Sequence, residues 1–203
     1  MVELRDIVFG IQGLFSKLIG LAGLLAEGVL RSNPALPDEA DLILSGVRRL
    51  AGDLCRELAA SAAEEPAAFK YISIPGHMER ICDHFEDLNG LLRMKALQNV
   101  HFSDKASDEI HCLFGRLADM FSSASGMLPG DGSGAGGDAI IAGHVNDAWL
   151  SVLKSAGDFA ALHDERLREG ICLPKAHSLY LDMIEDIKAI AWHLNGITRE
   201  AGG

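Results

Sequence analysis

Basic residues are scarce: 18 lysines and arginines stand against 29 aspartates and glutamates, a formal net charge of -11 over 203 residues. Nucleic-acid phosphates are bound by clusters of Lys and Arg, so no nucleic-acid partner is expected. The cysteines Cys55, Cys82, Cys112 and Cys172 never form a C-x-x-C pair, which argues against a thiolate zinc site or a dithiol redox motif. They read as reduced, buried thiols of a cytoplasmic protein. An uninterrupted apolar run of about 20 residues is also missing. The N-terminal stretch up to Val29 is greasy, but Lys17 and Glu27 interrupt it, and Glu3 and Asp6 stand where a secretory signal is basic. It reads as a buried helix of a soluble protein, apolar enough that a homodimer is a further expectation.

No segment shows sustained alternation of apolar and polar residues, whereas every long one shows the 3.6-residue period, so the chain is expected to be all-α. Helix 1, over roughly 3–31, carries Leu4, Val8, Ile11, Phe15, Leu18, Ala22, Leu25 and Val29 in one stripe widened by Leu14, Leu21 and Leu24. Gly10, Gly13, Gly20, Gly23 and Gly28 weaken it by about 1 kcal/mol each, which close helix approach would offset. After Asn33-Pro34, helix 2 runs to about 64, and helix 3 covers about 66–98 with a kink or restart at Pro75-Gly76. Helix 4 follows Ser103 and ends near Met127. PGDGSGAGGD, residues 129–138, reads as a linker. Helix 5 opens on Asp138 as N-cap and stops before Gly170, and helix 6 runs from around Pro174 to near Arg199.

A shift of roughly a hundred residues lays helices 1, 2 and 3 on helices 4, 5 and 6, in the manner of an internal repeat. One domain over 1–203 is expected, with repeat 1 at about 1–100, repeat 2 at about 103–203, and six helices arranged as a tandem pair of three-helix bundles.

The segment HMERICDHFEDL, residues 77–88, concentrates carboxylates: Glu79, Asp83, Glu86 and Asp87 lie opposite the apolar stripe of helix 3. Like charges three or four residues apart repel by about 0.2–0.5 kcal/mol per pair, so the stripe is either a solvated face or a cation site. Asp182 and Asp186 repeat the spacing in helix 6, with His193 one heptad further on the same side. Two carboxylates and an imidazole suit Fe, Mn or Zn, and Asp53 with Glu57, or Asn146 with Asp147, are candidate donors from neighbouring helices. His77 and His84 share a flank of helix 3 and read as boundary histidines with hydrogen-bond partners.

MERICDHFEDL resembles the ERIGDH-type segment of the PhoU family of phosphate-transport regulators, and YLDMIEDIKAI resembles its second copy. The resemblance implies a pair of three-helix bundles related by an internal repeat. It implies further that Glu79 with Asp83, and Asp182 with Asp186, bind metal ions such as iron or zinc through the E/D-x-x-x-D motifs, manganese being a further candidate on donor chemistry alone. Cys82 stands for the usual Gly in the first copy, and Asp182, Met183 and Glu185 depart from the motif in the second. By the same resemblance the protein is a cytoplasmic, non-catalytic adaptor that couples phosphate transport or sensing to a transporter component or a sensor kinase, peripheral to the membrane through that partner.

GSGAGG, residues 132–137, meets the dinucleotide spacing, but a helix and Pro129 precede it instead of a strand, so no organic cofactor is expected. No serine sits in a G-x-S-x-G setting. Trp149 and Trp192 are expected to pack between helices 5 and 6. The alternative function is a metal-dependent helical enzyme or a metal-storage protein, although the inward E-x-x-H of di-iron bundles is missing.

Overall fold

The computed structural model describes residues 3–31, 35–61, 66–128 and 138–202. Among these, the chain forms six α-helices and no strand: α1 (Leu4–Leu30), α2 (Leu36–Ser61), α3 (Ile74–Leu97), α4 (Asp104–Ser125), α5 (Asp138–Arg168) and α6 (Pro174–Gly202), with a 3-10 segment at Pro66–Tyr71 before α3. The Gly-rich segment lies outside the described residues up to Asp138, where α5 begins, and so does the capping role expected of that side chain.

α1 is the only described helix long and apolar enough to cross a membrane by length and composition. Here its stripe, from Ile7 through Ile11, Leu14, Leu18 and Leu25 to Val29, is buried against α2 and α4. The breadth of the stripe is explained by those two neighbours, which a single-sided amphipathic helix would not need. Of its glycines, only two approach another helix. A Cβ at Gly28 would stand 3.0 Å from Leu92 Cδ1 and one at Gly10 would stand 3.8 Å from Leu54 Cδ1, while Gly13, Gly20 and Gly23 face open space. Close packing therefore accounts for Gly28 and leaves the other costs in helix propensity without such an offset.

The expected break at Pro75 is a restart. The chain makes a 3-10 turn over Pro66–Tyr71, and α3 begins at Ile74 with Pro75 in its first turn, where the missing N–H has no intrahelical acceptor to satisfy. Further along α3, buried Asn89 donates through Nδ2 to Pro37 O at 2.8 Å and to Asp41 Oδ1 at 2.7 Å, which fixes the start of α2 against it. Ser103, after which the sequence places helix 4, caps α4, its Oγ accepting from the Ala106 N–H at 3.2 Å.

α2 packs on α1 and α3, and α5 packs on α4 and α6. These groups meet along two seams, α1 against α4 and α3 against α6. Phe121 of α4 stands at the middle, 6.1 Å from the Phe15 ring and 6.3 Å from the Phe85 ring, in a core continuous through all six helices. Truncating such an aromatic to Ala costs about 3–5 kcal/mol.

Cys82 alone of the four cysteines is buried, its thiol pushed up to about 11 by desolvation. Cys55 and Cys112 are exposed and Cys172 is half-buried, against the expectation that all four are core thiols. Trp192 is 54% exposed and does not pack between α5 and α6. It borders a cavity of about 280 Å³ shared with Trp149, His77 and Glu200.

Candidate functional site

α3 and α6 run antiparallel along their seam, so seven residues forward on α3 match seven backward on α6. His84 meets Asp186 and His77 meets His193. Because two heptad-spaced pairs coincide, the seam carries a row of polar side chains. His84 Nδ1 lies 2.9 Å from Asp186 Oδ1, and His77 Nδ1 lies 3.1 Å from His193 Nδ1. Two facing imidazole nitrogens share a single proton, since one must donate and the other accept. At the outer end, His77 Nε2 is 3.5 Å from Glu200 Oε1. Gly196 makes room for this row, because a Cβ there would stand 2.7 Å from His77 Cε1.

Burial sets the electrostatics. His193 is lowered to about 4, first by desolvation and then by the positive fields of His77, His84 and Arg80. The Asp186 carboxyl is raised by desolvation, against the pull of its His84 hydrogen bond, with Asp87 and Asp182 adding to the rise. Glu200 is lowered, mainly by a hydrogen bond from Ser73.

The two carboxylate pairs singled out by spacing sit in different surroundings. Glu79 is exposed beside a hollow shared with Arg48 and Cys55. Asp83 turns to α2, where Arg48 Nη2 donates to its Oδ1 at 2.8 Å while Arg48 Nε donates to Glu86 Oε1 at 2.8 Å. That guanidinium holds Asp83 below the usual carboxylate range. Asp182 is exposed on an open groove with Glu86, Asp87, Met94, Glu185 and Asp186. Asp186 turns inward to α3, where one donor atom each from His84, Asp87 and Asp186 lie within 4.8 Å of one another.

The two positions therefore fit a cation differently. At Asp83 a metal ion has to compete with Arg48 for the same oxygen. At Asp186 an imidazole and a second carboxylate already converge, a nitrogen and oxygen donor set suited to Fe, Mn or Zn. The additional donors come from α3 itself and not from the pairs suggested on neighbouring helices, since Asp53 pairs with Arg56 and Asn146 with Asn195. His193 lies on the same side as Asp186, as its spacing implies, but its Nδ1 is engaged by His77. His84, expected as a boundary histidine with a hydrogen-bond partner, has one in Asp186, and Asp87 was expected in the carboxylate stripe; neither was singled out from the sequence as a metal donor. Their signal was the H-x-x-D step within HMERICDHFEDL, which places both on the flank next to Asp83.

Compared with known protein families and with curated proteins, the chain matches none.

Proposed function

We propose that the protein is a PhoU-like regulatory adaptor of the cytoplasm. It couples phosphate transport or sensing to a transporter component or a sensor kinase through contacts of its helical surface, and it performs no reaction itself. The observation that carries this reading is the recurrence of helix starts. α4, α5 and α6 begin at residues 104, 138 and 174 against 4, 36 and 74 for α1, α2 and α3, offsets of 100, 102 and 100. Combined with the pairing of α1 with α4 and of α3 with α6, these offsets favour two three-helix halves that arose by duplication, the architecture the sequence resemblance implies. Exposed Phe9, Leu42 and Leu97 offer apolar contacts for a protein partner. An iron, zinc or manganese ion held by Asp186, His84 and Asp87 would supply a fixed positive charge that clamps α3 to α6.

Deletion in the native host tests the reading. Phosphate uptake and phosphate-responsive transcription are expected to change, and a pull-down is expected to recover a phosphate transporter subunit, its ATPase or a sensor kinase. Normal uptake and normal transcription in the deletion strain would remove it. The second reading, a metal-dependent enzyme or a storage protein, is favoured by the mixed histidine and carboxylate donors at Asp186. Oxygen consumption or hydrolysis by metal-loaded protein, abolished by Asp186→Asn, would decide for it.

A further inference from the structure

Where α5 turns into α6, a second group of donor side chains assembles that the α3–α6 seam does not use. The chain reverses through Gly170, whose φ of 72° is readily adopted only by glycine. The Gly170 N–H donates to Leu167 O at 3.0 Å and the Ile171 N–H to Arg166 O at 2.8 Å, the two bonds of a Schellman cap. This reversal carries Cys172 back beside His163 of α5, and α6 starts at Pro174 with His177 in its first turn. One ligand atom each from His163, Cys172 and His177 lie within 4.8 Å of one another.

Two features of the histidines point to a ligand at this position. His163 is 2% exposed, and neither of its ring nitrogens has a hydrogen-bond partner. Its faces are engaged by stacking, 3.9 Å from the Tyr180 ring and 5.3 Å from the His177 ring, which leaves the nitrogen-bearing edge for something else. A buried polar edge without a partner is costly and rare. His177 is oriented in the complementary way. Its Nε2 lies 3.3 Å from Asp164 Oδ1, while its Nδ1 is buried and unpartnered. The Asp164 carboxylate beside Nε2 favours the tautomer with its N–H on that nitrogen, which leaves the lone pair on Nδ1, and proteins orient metal-binding histidines by such carboxylates.

We infer that His163, Cys172 and His177 form a binding site for a borderline-soft divalent ion of the zinc class, which pins the turn between α5 and α6 to the two helices it joins. Two imidazoles and a thiolate suit such an ion and disfavour magnesium or calcium, which take oxygen donors. With Zn–N at about 2.0–2.1 Å and Zn–S at about 2.3 Å, tetrahedral ligands stand roughly 3.5 Å apart, so binding draws the three donors inward by up to roughly 1 Å. The Cys172 proton leaves to solvent as the thiolate binds, and the fourth position is open to water or an exogenous donor. The site is distinct from the α3–α6 seam: nine residues of α6 separate His177 from Asp186, roughly 13 Å along the axis.

The test uses the full chain, purified without an affinity metal, stripped with chelator and kept reduced. Zinc affinity is read by competition with a chromophoric chelator, and Co2+ serves as a spectroscopic probe because a bound thiolate adds a charge-transfer absorption. One Co2+ with that absorption is expected in the wild type and in Asp186→Asn, and none with it in Cys172→Ser. His177→Gln is expected to weaken zinc binding by at least about 10-fold, and Asp164→Asn by about 10-fold through loss of the orienting carboxylate. Asp164 is half-exposed, so that variant keeps its fold and reads the site even if Cys172→Ser does not fold. Absence of the thiolate absorption in the wild type would overturn the inference. So would its persistence in Cys172→Ser, which assigns the ion to another cysteine, or unchanged zinc affinity in both His177→Gln and Asp164→Asn.

Discussion

Asp83 on α3 and Asp186 on α6 occupy the same place in two similar carboxylate steps, yet they face opposite kinds of partner. Asp83 meets a guanidinium from α2, and Asp186 meets an imidazole and a second carboxylate from α3. The four-residue spacing fixes which side of a helix two acids share. What that side means chemically is decided by the neighbouring helix. At Asp83 the repulsion between acids is relieved by Arg48, which the chain supplies itself, with Arg80 Nη1 also 3.5 Å from Asp83 Oδ2. At Asp186, burial raises the carboxyl and the His84 hydrogen bond works against that rise. Two helices can thus share a carboxylate step while one meets an internal cation and the other an imidazole and a second acid.

Metal affinity is where the two copies should differ most. Asp186→Asn is expected to weaken Fe, Mn or Zn binding at the seam by roughly 10- to 100-fold, while Asp83→Asn leaves it within about 2-fold. Calorimetric titration of chelator-stripped protein in a Cys172→Ser background, where the α5–α6 donors are removed, checks this. The reverse order would show that Arg48 yields its oxygen to a metal and that the first copy is the real site.

Acid should also separate them. A histidine lowered to about 4 from 6.5 binds its proton more readily in the unfolded chain, so between these values stability rises with pH. The contribution of His193 is complete above about 6.5 and is lost as pH falls through 4, on the order of 1–2 kcal/mol after allowance for its partial exposure. Asp186 works in the opposite sense at the bottom of this window, because its raised carboxyl takes up a proton in the folded state first. Asp83, lowered by Arg48, holds its contribution until the pH falls below its ordinary value of 3.8. Urea unfolding should show lower stability at pH 4.5 than at pH 7. His193→Gln should reduce the slope but not abolish it, since His163, also lowered to about 4 by burial, follows the same sign. An unchanged slope would mean that His193 is well solvated in the folded state.

Gly196 gives a smaller effect of a similar kind. An Ala there gains up to about 1 kcal/mol of helix propensity but forces a carbon within 2.7 Å of His77 Cε1, so the ring must turn away from His193. A net loss of about 1 kcal/mol is expected by thermal unfolding, with the His77 and His193 ring resonances shifted in NMR spectra. The equivalent change at Gly76, which faces open space, should only stabilise α3.

All six helices were legible because their apolar residues recur at three and four, and the signals at Ser103, Pro75 and Gly170 act within one or two turns. The position of the acids on their helices was legible for the same reason. Their partners were not. Arg48 lies 35 residues from Asp83, and His84 lies 102 residues from Asp186. Only the packing of α2 on α3 and of α3 on α6 brings them together. The donors His163, Cys172 and His177 escaped notice because their spacing crosses a chain reversal, so no single helical or C-x-x-C period contains them. The glycines of α1 misled in the other direction: composition suggested close contact throughout, and the neighbours supply it at Gly28 and, at ordinary distance, at Gly10.

The smallest expected effect sharpens the comparison most. Arg48→Ala removes the cation between Asp83 and Glu86, whose side chains are 41% and 48% exposed. Because water screens pairs so exposed, the change should cost no more than about 1 kcal/mol in urea unfolding. It also leaves Glu79, Asp83 and Glu86 on one flank of α3 with less of their mutual repulsion relieved, Arg80 remaining 3.5 Å from Asp83. If the internal guanidinium is what distinguishes the first copy from the second, this variant should recover part of that loss on addition of Mn2+ or Zn2+, seen as a rise in melting temperature larger than the wild type shows. Asp83→Asn placed on top of Arg48→Ala should remove the metal-dependent rise. An Arg48→Ala protein that gains no more from metal than the wild type would mean that the acids of the first copy are a solvated face whichever partner they have.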